Sequence, residues 1–159
     1  MKNNAWMVAA AACVMIGACS GEAAKPVAEA PAEPTREEII AHGKYLVDNV
    51  GMCSDCHTVR LPTGELDLTT YLAGAPSPEA GPPGAPFAKV SVAIAGLPAG
   101  YTEEGLAKFM MDGTPGDGSP PLPPMPGYRL NETDANAVAA YLASLPKPVA
   151  APAPAAPPT

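Results

Sequence analysis

The chain has 159 residues, enough for one domain with flanking segments. Its net charge of −7 argues against a nucleic-acid partner. Its 22 prolines gather in tails and loops, and beyond Trp6 the aromatic side chains are Tyr45, Tyr71, Phe87, Tyr101, Phe109, Tyr128 and Tyr141. A small domain with so few large apolar side chains needs an added stabilising element.

The first residues read as an export signal. Lys2 is a minimal positive start, and Ala5 to Ala18 is an apolar run of 14 residues. That is short for a membrane span and suits a signal peptide. The run ends in Ile16-Gly17-Ala18-Cys19, which resembles a bacterial lipobox, in which the Cys is lipidated and becomes the first mature residue. An ordinary cleaved signal is the alternative, but Ile16 is bulky where a small residue is wanted. Cys13 lies inside the leader and is expected to be lost with it. The expected division is a signal peptide over 1–18, a lipidated Ala/Pro/Glu-rich linker over 19–34, a folded domain over 35–147 and a disordered Ala/Pro-rich tail over 148–159.

The domain begins with a capping box, Thr35 with Glu38. Ile39, Ile40, Gly43, Leu46, Val47 and Val50 then recur at helical spacing, and Gly51 ends the predicted helix. Gly43 in mid-helix costs stability relative to Ala, which points to another backbone or ring packed against it. His42 lies on the same helix, off its apolar face, and reads as a surface residue.

Two residues after Gly51 stands Cys53-Ser54-Asp55-Cys56-His57. C-x-x-C-H is the attachment signal for a c-type haem. Two thiols at this spacing reach the two vinyl groups of one porphyrin, and the His supplies a nitrogen to its iron. A redox dithiol would want a βαβ setting, and none is visible. A zinc site would want a second ligand pair, for which only His42, Cys13 and Cys19 remain.

From Thr58 to Gly100 no long periodic element appears, only punctuation such as Leu61-Pro62-Thr63-Gly64, Gly74-Ala75-Pro76 and Gly81-Pro82-Pro83-Gly84. Such a length without regular structure is unusual in a compact domain unless it wraps a cofactor. Phe87 to Leu97 has some β character and reads mostly as loop packed on one haem edge. A middle helix comes next, capped by Thr102, with Leu106, Phe109 and Met110 on its apolar face and Gly113 as its stop. Met110 and Met111 are possible iron ligands in principle, though Met on a helix face more often fills a core.

The run from Pro120 to Tyr128 reads PPLPPMPGY. Prolines fix φ and lack N–H donors, so the segment presents Met125 at low entropic cost. A thioether is a soft ligand that favours ferrous iron. Met125 is therefore read as the second axial ligand. The last predicted helix, Thr133 to Leu145, is capped by Asn131 with Asp134 three residues on, and carries Val138, Tyr141, Leu142 and Leu145 as its stripe.

Helix, CSDCH, long loop, helix, PPMP and a helix reading AVAAYLASLP together resemble the monohaem class I cytochrome c family, over Thr35 to Lys147. With PPMP, then an acidic cap, then AYLASLP, it looks like the small periplasmic cytochromes and cytochrome subunits of bacterial membrane dehydrogenases. The resemblance implies an all-α fold, three or more helices with long loops around one covalent haem c. It implies thioether anchors at Cys53 and Cys56, the proximal ligand at His57 and the distal one at Met125. It makes Gly43 and Tyr141 the crossing of the first and last helices. It also implies a proline carbonyl holding the His57 Nδ1, for which Pro62 and Pro76 are both candidates. Haem attachment on the outer side of the bacterial inner membrane agrees with the export signal.

Six-coordinate His/Met iron leaves no open position for a small-molecule substrate, so electron transfer is expected rather than catalysis. The expected protein faces the periplasm, lipid-anchored to a membrane or else soluble there. It shuttles single electrons between redox partner proteins such as a dehydrogenase, an oxidase or another cytochrome. Its acidic charge would suit a partner with a basic face. The alternatives are a cytochrome subunit of a membrane dehydrogenase or oxidase complex, and a haem-based gas sensor in which Met125 leaves the iron.

Overall fold

A computed structural model describes residues 32–77, 81–113 and 121–149. The signal peptide, Cys13, the proposed lipidation site Cys19, most of the linker, Pro120 and nearly all of the tail lie outside the described residues.

Four α-helices carry the fold: α1 (Arg36–Tyr45), α2 (Ser54–His57), α3 (Glu103–Asp112) and α4 (Glu132–Ser144). Each of the three long ones starts where local chemistry predicts. Thr35 accepts from the Glu38 N–H while Glu38 reaches back to the Thr35 N–H at 2.8 Å. Thr102 accepts from the Gly105 N–H, and Asn131 from the Asp134 N–H. These caps satisfy amides that have no partner within the helix. Gly113 closes α3 with φ of +76°, a conformation that costs a glycine little.

The first helix does not stay α-helical to Gly51. Leu46–Val50 continues it as a π-helical turn, with the Gly51 N–H donating to the Leu46 carbonyl. The wider turn rotates the end of the helix around its axis. Val50, expected on the apolar stripe, consequently lies 54% exposed, while Val47 is fully buried.

α4 is the central element, and both α1 and α3 pack on it. Its buried stretch is rich in Ala (Ala135, Ala137, Ala139, Ala140), and small side chains let neighbouring helices approach. The closest approach is at Gly43. A Cβ there would stand 1.9 Å from the Ala137 carbonyl oxygen and 2.8 Å from the Tyr141 Cβ. The helix crossing expected at Gly43 and Tyr141 is thus present, and it explains a glycine in mid-helix. Around the crossing, the Tyr71 hydroxyl donates to the Asp48 carboxylate and accepts from the Tyr141 hydroxyl at 3.0 Å. Burial first, and the Asp48 bond second, raise the Tyr71 pKa well above the ordinary phenol value. His42 sits on the outer side of α1, with Nε2 2.7 Å from Asp134 Oδ1 on α4.

The long segment between α2 and α3 has little regular structure. A 3-10 turn covers Leu68–Thr70, and two short antiparallel strands, β1 (Ala75–Pro76) and β2 (Val90–Ser91), pair Ala75 with Ser91. The segment is held by specific bonds rather than by periodicity. Thr58, buried, accepts the Leu72 N–H at 3.0 Å, and the Leu72 carbonyl accepts from the N–H groups of Ile94 and Ala95. Leu72 is itself fully buried in the core with Val47, Leu106, Val138 and Leu142. Among the described residues, no helix is long and apolar enough to cross a membrane.

The crossing makes a prediction with a definite sign. On an open helix face, Gly→Ala stabilises by about 1 kcal/mol. At Gly43 the new methyl group meets backbone, so Gly43→Ala should destabilise the protein by roughly 2 kcal/mol or more, as over-packing does. Denaturant midpoints of the two proteins check this, and a raised midpoint for Gly43→Ala would mean that the helices do not touch there.

Candidate functional site

One apolar cavity of about 470 Å³ lies between α3, α4 and the loops. Leu106, Phe109 and Met110 of α3 and Val138 and Leu142 of α4 line it, together with Ile94, Pro98 and Tyr101. Tyr101 and Phe109 meet edge to face with centroids 5.8 Å apart, an arrangement their quadrupoles favour. The size is that of a small-molecule or cofactor site.

Cys53, Cys56 and His57 line one wall. The π turn delivers them: the Cys53 N–H donates to the Val47 carbonyl, and the single turn of α2 carries Cys56 and His57. Burial pushes the Cys53 thiol up to about 11. The group is therefore a thiol at neutral pH. Among the described residues, no cluster of three or more His, Cys, Asp or Glu side chains could hold a metal ion.

His57 is buried, and its Nδ1 lies 2.7 Å from the Val92 carbonyl oxygen. A carbonyl only accepts, so Nδ1 carries the proton. Nε2 is then left with a free lone pair, the form in which imidazole is a ligand. Burial lowers the His57 pKa and the Val92 bond partly opposes it, which keeps the ring neutral near neutral pH. The acceptor corrects the sequence expectation: neither Pro62 nor Pro76 supplies this carbonyl. Both lie nearer in sequence, but Pro76 is committed to the β1–β2 pair, whose far strand runs straight into Val92.

Met125 lines the same cavity from the proline-rich loop, with Pro121, Leu122, Pro124 and Pro126. The loop is tied at several points. The Met125 N–H donates to the Leu122 carbonyl, the Ala88 N–H to the Pro123 carbonyl, and the Leu130 N–H to the Met110 carbonyl at the end of α3. The Tyr128 hydroxyl crosses to the segment before the C-x-x-C-H motif and donates to the Gly51 carbonyl at 3.2 Å. Burial, with Cys53 as neighbour, raises the Tyr128 phenol to about 12, so it remains a donor. Met110, expected as core filling, is buried in the core and also lines the cavity; Met111 packs on the core without lining it. Met52, beside Cys53, also lines the cavity.

The structure thus brings Cys53, Cys56, His57 and Met125 to one cavity. Val92 and Tyr128 were not singled out from the sequence as site residues. A backbone carbonyl carries no residue signature, and the Tyr128 partner is distant along the chain. The residues present fit a covalently held haem: two thiols and a neutral imidazole share one wall, a thioether faces the same space, and the remaining walls are mostly aliphatic and aromatic.

Comparison with known proteins agrees with this geometry. The profile of the cytochrome c family matches residues 40–146. A diheme cytochrome c-type protein of Cereibacter sphaeroides is 49% identical over 37 residues, which is 23% of this chain and 12% of that protein. The present chain therefore corresponds to only a small part of that relative's length. The chain belongs to the cytochrome c family, whose members transfer electrons through a c-type haem.

Proposed function

We propose that this protein is a periplasm-facing electron carrier with one covalent haem c, bound through Cys53 and Cys56 and ligated by His57 and Met125. The observation that carries the reading is the convergence of these four side chains on one apolar cavity, with the His57 ring proton committed to Val92. A count of one haem rests on the single C-x-x-C-H in the sequence. When bound, the haem supplies a one-electron couple at its iron.

The chain supplies the rest. His57 offers Nε2 in a fixed tautomer, and Met125 offers a soft sulfur from a loop stiffened by its prolines. Leu106, Val138, Leu142 and Ile94 exclude water, and a dry, low-dielectric setting is one of the means by which a protein sets a potential. His57 and Met125 would hold the iron from protein side chains alone, which would leave no site for a substrate and suit a carrier rather than an enzyme. Its partners are other redox proteins, and its acidic charge favours a basic docking face on them.

Attachment to a membrane is part of the same proposal, supported by the Ile16-Gly17-Ala18-Cys19 motif. Lipidation at Cys19 would place the domain on a tether of Ala, Pro and Glu residues. Several acyl chains hold a protein on a membrane where one does not. Cys19→Ala should therefore abolish incorporation of labelled lipid and either release the protein to the soluble periplasm or block its processing. Equal labelling of wild type and variant would remove Cys19 as the anchor.

The sixth ligand separates a carrier from a gas sensor. Met125→Ala should open the iron to carbon monoxide and lower the reduction potential by about a tenth of a volt or more, within the ~0.8 V that axial ligands span. Met110→Leu, altering the buried thioether that α3 presents to the cavity, should do neither. The sulfur-to-iron charge-transfer band of the oxidised protein reports the bond: loss in Met110→Leu and survival in Met125→Ala would reverse the assignment. A wild-type ferrous protein that binds carbon monoxide freely would favour the sensor.

A further inference from the structure

We infer that Gly74 is a positioning residue for the proximal histidine, holding the Val92 carbonyl against the His57 ring and thereby setting the reduction potential. The inference rests on the preceding reading of His57 as the iron ligand.

Three contacts meet at Gly74. Its N–H donates to the backbone carbonyl of His57 at 2.8 Å. It precedes β1, and the register that pairs Ala75 with Ser91 sets Gly74 opposite Val92. At that point the two backbones touch. A Cβ on Gly74 would stand 2.8 Å from the Ser91 oxygen, 3.0 Å from the Ala93 nitrogen and 3.1 Å from the Val92 carbonyl carbon. All three are backbone atoms, which cannot swing aside as a side chain can. The φ of Gly74 is +91°, which an L side chain rarely adopts.

The geometry forms a closed loop: His57 carbonyl to Gly74 N–H, Gly74 against the Val92 peptide, Val92 carbonyl to His57 Nδ1–H. Gly74 is thus bonded to the backbone of the histidine and packed on the peptide that accepts the ring proton. A methyl group at Gly74 would push the Ser91–Ala93 backbone outward and lengthen the bond at Nδ1. A hydrogen bond at Nδ1 makes the other nitrogen a stronger donor, which favours ferric iron. Loosening it should therefore raise the potential.

The test uses the haem-loaded full chain and compares Gly74→Ala with Gly64→Ala. Gly64 has a φ of +89° and open space where its Cβ would be, so it shares the backbone strain without the contact. Gly74→Ala should shift the reduction potential upward and speed solvent exchange of the His57 Nδ1 proton, read by NMR in the reduced protein. Gly64→Ala should leave both at the wild-type values. A Gly74→Ala protein with wild-type potential and proton exchange would overturn the inference while leaving the haem reading intact. A wild-type chain without covalent haem would instead overturn the reading it rests on. Should Gly74→Ala fail to mature, exchange in the wild type decides. The Gly74 amide and the His57 Nδ1 proton should exchange with equal protection, because one opening exposes both. An imidazole proton many-fold less protected than that amide, each taken relative to its own intrinsic exchange rate, would show that Gly74 does not hold the bond.

Discussion

The hydrogen bond from the His57 ring to the Val92 carbonyl joins parts of the chain that are 35 residues apart. It also explains why the irregular segment between α2 and α3 has the course it does. A buried imidazole needs a partner for its N–H, and an unpaired buried donor costs about 1–3 kcal/mol. Satisfying it brings the Val90–Ile94 stretch to line the cavity, and the β1–β2 pair and the Leu72 carbonyl hold that stretch there. With little regular secondary structure, the segment is ordered by the bonds it makes to the motif and to the core.

The helices solve a different problem. They provide a rigid back wall from small residues: Gly43 on α1 and the alanines of α4 let the two helices meet at backbone distance. That leaves the larger apolar side chains of α3 and α4 to face the cavity. Leu106, Phe109, Val138 and Leu142 thus serve the site as much as the core. A chain with few aromatics can sustain this arrangement if a flat apolar cofactor completes the interior, which is what membership of the cytochrome c family implies.

Much of this was legible in the sequence because it rests on short-range chemistry. Helix caps at Thr35, Thr102 and Asn131 act over three residues, and each stands where it was expected. Cys53, Cys56 and His57 are adjacent, and the prolines around Met125 flagged its loop. What was illegible was long-range or backbone in nature. The acceptor for His57 is a peptide carbonyl, which any residue type could supply, so the proline expectation had nothing local to correct it. Tyr128 finds its partner 77 residues away. Val50 obeyed the helical spacing, yet the π turn moved it to the surface, and no residue in Leu46–Val50 announces such a turn. Gly74 read only as punctuation, because the peptide it packs on belongs to a different part of the loop.

The central claim is that the cavity wall formed by Cys53, Cys56 and His57 carries one covalent haem. Intact mass of the mature protein, taken under denaturing conditions with a thiol-alkylating reagent present, tests it most directly. The account predicts the mass of the processed chain plus one haem, with neither Cys53 nor Cys56 alkylated. A chain that carries no haem mass and takes up the reagent at both cysteines would contradict it.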